Sequence, residues 1–171
     1  MTTYGTSLRE RPALMFFRRP KTPEVYLLTD DIAIAPQPGE KDLRAIRELG
    51  FRGIVDLRDE TPDSGAMFRA QSLNYLRVPI IDGAAPTVDE LYEVAGWITG
   101  HILDDGPVLV FCREGRGRSA MVAVASLVKL GLPLPEAYTI LMRARPSAVI
   151  STKQMKALEA FAGSLQPTKA A

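Results

Sequence analysis

Val108-Leu109-Val110-Phe111 is an unbroken apolar run, preceded by the turn sequence Asp104-Asp105-Gly106-Pro107. A run of this kind reads as a strand buried on both faces. Eight polar or small residues follow, and then Ala120 to Leu130, a segment apolar nearly all round its helical projection and stopped by Gly131. A helix without a polar face has to be interior. A buried strand joined to a buried helix by a short polar loop leaves few architectures. The best fit is a sheet with helices packed over it, in which ligands bind beyond the carboxyl ends of the strands. The loop between Phe111 and Ala120 is therefore the first place to look for chemistry.

The rest of the chain supports that frame. Val25 to Leu28 and Ile32 to Ala35 read as short strands around Thr29-Asp30-Asp31. Leu43, Ile46 and Leu49 share one face of a helix over 40–49, with Gly50 as its stop. A strand over 51–57, a short helix over 65–73 and a strand over 75–81 come next. Thr87 with Glu90, and Ser151 with Gln154, have capping-box spacing and predict helices over 87–103 and 151–164. One more helix fits 135–144. Strands alternate with helices, so the expected fold class is α/β, a central mixed, mostly parallel sheet flanked by helices. The 171 residues suit a single domain, placed at 23–165, with an irregular N-terminal arm at 1–22 and a flexible tail at 166–171.

Acids and bases almost cancel, for a formal charge of +1. Nucleic acid is not an expected partner, and any anion recognition has to be local. Cys112 is the only cysteine, which excludes an internal disulfide and a zinc site built on several thiolates. Neither a metal nor a cofactor is expected. A lone thiol fits a reducing compartment, and cytoplasmic placement is the expectation. The apolar run Ala13 to Phe17 lies between Arg11 and Arg18 and is far too short to span a bilayer. Arg9, Arg11, Arg18, Arg19 and Lys21 make that arm basic, and it reads as a solvated arm rather than a membrane anchor.

The loop itself is Cys112-Arg113-Glu114-Gly115-Arg116-Gly117-Arg118-Ser119. The start of the helix behind it leaves backbone N–H groups unpaired and carries a partial positive charge. Gly115 and Gly117 let the backbone curl, so that the loop amides converge as an anion nest. Arg118 adds a planar fork suited to two oxygens of a phosphate. The same field favours the ionised form of the Cys112 sulfur, whose free pKa is about 8.5. Arg113, Glu114, Gly115, Arg116 and Gly117 are the candidate phosphate-binding residues. The side chains of Arg113 and Arg116 are expected to point outward, and Glu114 to brace the loop through an arginine.

The Cys-x5-Arg-Ser spacing, opened by Cys112-Arg113-Glu114-Gly115 and closed by Arg118-Ser119, resembles the dual-specificity branch of the protein tyrosine phosphatase superfamily. More loosely, the resemblance covers about residues 25–162. It implies a protein tyrosine phosphatase-like sheet and a phosphorylated substrate, a phosphoprotein or a phospholipid or inositol phosphate. It also implies a cysteine-dependent hydrolysis through a phosphocysteine. Carried over by that resemblance, Cys112 is the nucleophile and Arg118 holds the phosphate. Ser119 eases departure of the thiolate. Asp82, 30 positions before the cysteine, is the general acid. This chain has Phe111 where the family usually has a histidine that orders the loop and depresses the thiol pKa.

Other residues have plainer readings beside functional ones. Arg58 ends a strand and either binds substrate or forms a structural ion pair. Gln154 resembles a late polar residue that positions water in some phosphatases, although its capping-box place accounts for it alone. His101 reads as a surface residue at a helix end, and Trp97 as core. Two other classes stay open on the residues. A rhodanese-like sulfurtransferase also uses a loop cysteine, with a loop usually one residue shorter. A catalytically silent phosphate-binding module would keep the nest without turnover.

Overall fold

A computed structural model of the protein describes residues 23–165. The arm expected at 1–22 and the tail at 166–171 lie outside the described residues. The strands are β1 (Tyr26–Leu27), β2 (Ile32–Ala35), β3 (Gly53–Arg58), β4 (Asn74–Ile80) and β5 (Val108–Phe111). They form one sheet in the order β1-β2-β5-β3-β4. Only β1 runs antiparallel to its neighbour, and β2, β5, β3 and β4 are all parallel. The mixed, mostly parallel sheet expected from the sequence is the one observed.

Helices cover both faces. α1 (Leu43–Glu48) and α2 (Gly65–Arg69) lie on one side, after a 3-10 turn at Glu40–Asp42. On the other lie α3 (Val88–Asp104), α4 (Arg118–Lys129), α5 (Leu134–Ala144) and α6 (Thr152–Ser164). β5 shows why its run has no polar position. Val108 and Val110 enter the core beneath α3 and α4, while Leu109 and Phe111 enter the core beneath α1 and α2. The side-chain alternation of a strand meets an apolar layer whichever way it points. α4 is central, and every residue from Arg118 to Val128 is buried.

Both capping boxes form. Thr87 Oγ1 accepts from the Glu90 amide at 3.2 Å and the Glu90 carboxylate accepts from the Thr87 amide at 2.8 Å. Ser151 Oγ accepts from the Gln154 amide at 3.3 Å and Gln154 Oε1 accepts from the Ser151 amide at 3.0 Å. Such caps contribute about 1 kcal/mol each and fix where α3 and α6 begin.

His101 departs from expectation. It is buried, not on the surface, with its ring stacked on Trp97 at 4.8 Å. Nδ1 lies 3.2 Å from the Asp105 carboxylate. The space comes from Gly53 on β3, where a Cβ would stand 2.6 Å from the imidazole. This cluster lies at the amino end of β3, across the sheet from the Cys112 loop.

Candidate active site

Three parallel strands end at one edge and deliver the site. β5 ends at Phe111 and leads into Cys112, β4 ends at Ile80 just before Asp82, and β3 ends at Arg58 before Asp59 and Glu60. Cys112, Arg118, Ser119 and Asp82 converge there. Arg118 and Ser119 are the first two residues of α4, and Gly117 at its N-cap supplies no capping side chain. The amides of that first turn are thus left for the loop and its ligand.

The loop is fixed from two sides. The Gln37 amide donates to Arg113 O at 3.1 Å, and the Val149 amide donates to Arg116 O at 2.9 Å. Arg116 Nε donates to Ser147 O at 2.8 Å. Gly115 has φ +61°, and a Cβ there would come within 2.3 Å of the Ala35 carbonyl. Only glycine fits so close to the end of β2. As expected, Arg113 and Arg116 present their side chains outward and are exposed, but Arg116 is pinned to the 147–149 segment.

The Cys112 sulfur is almost fully buried. It accepts a hydrogen bond from the Gly115 amide at 3.2 Å, and Ser119 Oγ lies 3.4 Å away. Burial pushes the thiol pKa up. The Ser119 hydroxyl and amide, the Gly115 amide and the Arg118 charge outweigh it together, and the thiol ends below its ordinary value. Phe111 does not undo this. Its ring packs against Phe68 at 5.5 Å, and the Arg58 guanidinium stands over it at 4.9 Å. Arg58 itself is held by Asp56 through Nε at 2.8 Å and Nη2 at 2.7 Å, and Tyr75 donates to the same carboxylate at 3.0 Å. Arg58 thus forms a buried ion pair with Asp56.

Arg118 is the most heavily engaged side chain in the site. Glu60 grips the end of its guanidinium, with Oε2 at 2.7 Å from Nη1 and Oε1 at 2.9 Å from Nη2. Nη1 also donates to Ile80 O at 3.0 Å. Those hydrogen bonds to Arg118 hold the Glu60 carboxyl well below the usual carboxylate range. Nε is buried without a hydrogen-bond partner, 3.3 Å from Asp82 Oδ1. The fork expected to grip an anion is therefore occupied by Glu60, and the Nε edge is the one left to take it. A bidentate carboxylate at one end aims the other edge.

Glu60 is the residue that the sequence reading missed. Glu114, expected to brace the loop through an arginine, is exposed. The acid that pairs with the loop arginine comes instead from the connection after β3. Arg77 on β4 staples that connection, donating to Arg58 O at 3.2 Å and Thr61 O at 2.8 Å. Asp82 is 83 % exposed and sits in a turn closed by the Ala84 amide on Ile81 O at 3.0 Å. Gln154 is buried at the start of α6, and its Nε2 donates to Ala84 O at 3.2 Å.

Residues 33–132 match the family of DSP-PTPase phosphatases of polymorphic toxin systems. The chain belongs to this family. The crystal structure of Tk-PTP in its active form superposes with a TM-score of 0.77 at 32% identity, covering 82% of this chain and 97% of that one. Among curated proteins, the phosphatidylglycerophosphate phosphatase PTPMT2 of Arabidopsis thaliana is 26% identical over 72% of this chain and 56% of its own. Dual specificity phosphatase 28 of Mus musculus is 35% identical over 47% of this chain and 50% of its own. The chain spans about half the length of these curated relatives.

Proposed function

We propose that the protein is a cysteine-dependent phosphatase of the dual-specificity type, hydrolysing phosphate monoesters through a phosphocysteine. The observation that carries this reading is the Cys112 sulfur, hydrogen-bonded by a loop amide beside Ser119, with the Nε edge of Arg118, free of hydrogen bonds and facing Asp82, at the same helix start. A phosphoryl group seated there meets donors already in place for the charge on its equatorial oxygens.

The thiolate attacks phosphorus, forming S–P as the ester P–O bond breaks. Asp82 gives its proton to the leaving oxygen. Water then attacks the phosphocysteine and loses a proton to Asp82. The S–P bond breaks, and the Ser119 hydroxyl stabilises the departing thiolate. Inorganic phosphate and the starting enzyme result, with every proton returned.

Phosphorylated protein side chains are the substrates of the first reading. Phospholipid or inositol phosphates are a second, favoured by two exposed apolar residues beside the site. Ile81, next to Asp82, is 67% exposed, and Val149, bonded to the phosphate loop, is 59% exposed. The name of PTPMT2 points the same way. Cytoplasmic placement belongs to the proposal and is supported by the single thiol. No helix among the described residues is long and apolar enough to cross a membrane.

Cys112→Ser tests the reading directly. Hydrolysis of an aryl phosphate is expected to fall to the uncatalysed rate while vanadate or phosphate still binds. Retained turnover in that variant refutes the mechanism. Sulfur transfer from thiosulfate to cyanide without phosphate release would point to the sulfurtransferase. Phosphate binding without turnover in the wild type would point to a silent module.

A further inference from the structure

We propose that Gln154 is a positioning residue for the acid loop, and that its side-chain amide holds Asp82 in place over the phosphate loop. The inference rests on the phosphatase reading and on Asp82 as the acid. Both ends of the Gln154 amide are committed. Oε1 accepts from the Ser151 amide at 3.0 Å as half of the α6 capping box, and Nε2 donates to Ala84 O at 3.2 Å. The side chain is buried at 3 % exposure, so neither bond competes freely with solvent. Each end of the amide is therefore anchored to backbone, one at the start of α6 and one on the turn after Asp82.

Its partner lies two residues beyond Asp82 in a tight turn. The Ala84 amide closes the turn on Ile81 O, and Gly83 takes φ +75°. Asp82 itself is largely exposed, with Arg118 Nε at 3.3 Å, so the turn that carries it decides whether its carboxylate reaches the site. The other end of the connection is the phosphate loop. The Val149 amide bonds Arg116 O, and Arg116 Nε bonds Ser147 O. Residues 147–154 therefore form a bracket. One end grips the loop of the nucleophile and the other grips the loop of the acid, which sets the distance between them. The capping box does more than start a helix, because it orients the amide that reaches across to Ala84.

Gln154→Glu separates the two jobs. A glutamate keeps an oxygen for the Ser151 amide but loses the donor, and its second oxygen opposes Ala84 O. Proton donation matters most when the leaving oxygen is a poor leaving group, and kcat/KM reports the step that breaks that bond. In the full-length protein, Gln154→Glu is expected to lower kcat/KM about tenfold for an alkyl phosphate and less than about twofold for a dinitrophenyl phosphate. The dependence on leaving-group pKa steepens accordingly. Amide hydrogen exchange at Ala84 and Ala85 is expected to quicken by more than the accompanying fall in melting temperature accounts for. Ser151→Ala is the control, expected to lower the melting temperature while leaving the leaving-group dependence flat. An equal loss on all substrates, or none, overturns the proposal. If wild type releases phosphate and Cys112→Ser abolishes it, such a result counts against the bracket alone. If wild type releases none, the phosphatase reading falls and the bracket with it.

Discussion

The phosphate loop and the acid loop stand side by side but are built in opposite ways. Residues 112–117 are wedged between the end of β2, the 147–149 segment and the start of α4, and Cys112, Arg118 and Ser119 are all buried. Asp82 is solvent-exposed and rests on a turn held by one backbone bond and the Gln154 amide. The difference fits the role proposed for each group. A thiolate has to be stabilised before substrate arrives, which takes fixed dipoles in a place with little water. A general acid has to gain and lose a proton in each cycle, which calls for access to water. Burial at one loop and exposure at the other thus divide the chemistry.

The contrast breaks most severely at Gly115. Gly115→Ala places a Cβ against the Ala35 carbonyl in a left-handed backbone conformation. It is expected to destabilise the fold by about 3 kcal/mol and to abolish measurable turnover, checked by denaturant melts and phosphate release. Asp82→Asn attacks the exposed side instead. It is expected to slow turnover about 100-fold with little change in melting temperature, because Asp82 is 83% exposed and its ion pair with Arg118 Nε is solvated. Equal effects of the two changes on stability would dissolve the contrast.

Glu60→Gln should cost less activity than either. It loosens the guanidinium that aims the Nε edge, and a rise of about tenfold in KM is expected, with a smaller change in kcat. Stability carries a pH signature as well. The Glu60 carboxyl is depressed in the folded state, so its contribution is complete above the unfolded carboxyl pKa of about 4.3 and fades as pH falls below it. The melting temperatures of wild type and Glu60→Gln are expected to differ at neutral pH and to converge in acid. Arg113→Ala should have the smallest effect, less than about threefold in KM for a singly charged substrate, because that side chain is exposed.

The parts of this arrangement visible in sequence were those governed by near neighbours. Four apolar residues in a row announce β5, an all-round apolar helix announces α4, and Thr87 with Glu90 announces the start of α3. Glu60 escaped because nothing local marks it. It lies on an irregular connection, and its partner is 58 positions away. A search for an acid able to pair with a buried arginine would have had several candidates after β3 and no rule to choose among them. His101 was misread for a related reason. The end of a helix suggests a solvated cation, but the glycine that makes room for the ring lies on β3, far away in sequence. Gln154 carried a correct local signal, the capping box, which hid its long reach to Ala84.

Because Cys112 is the only cysteine, its ionisation can be followed by the ultraviolet absorbance of the thiolate against pH, with Cys112→Ser as the blank. A midpoint clearly below the ordinary thiol value of about 8.5 is expected, with bound phosphate perturbing the titration. A midpoint at or above that value, unmoved by phosphate, would contradict the proposed role of Cys112.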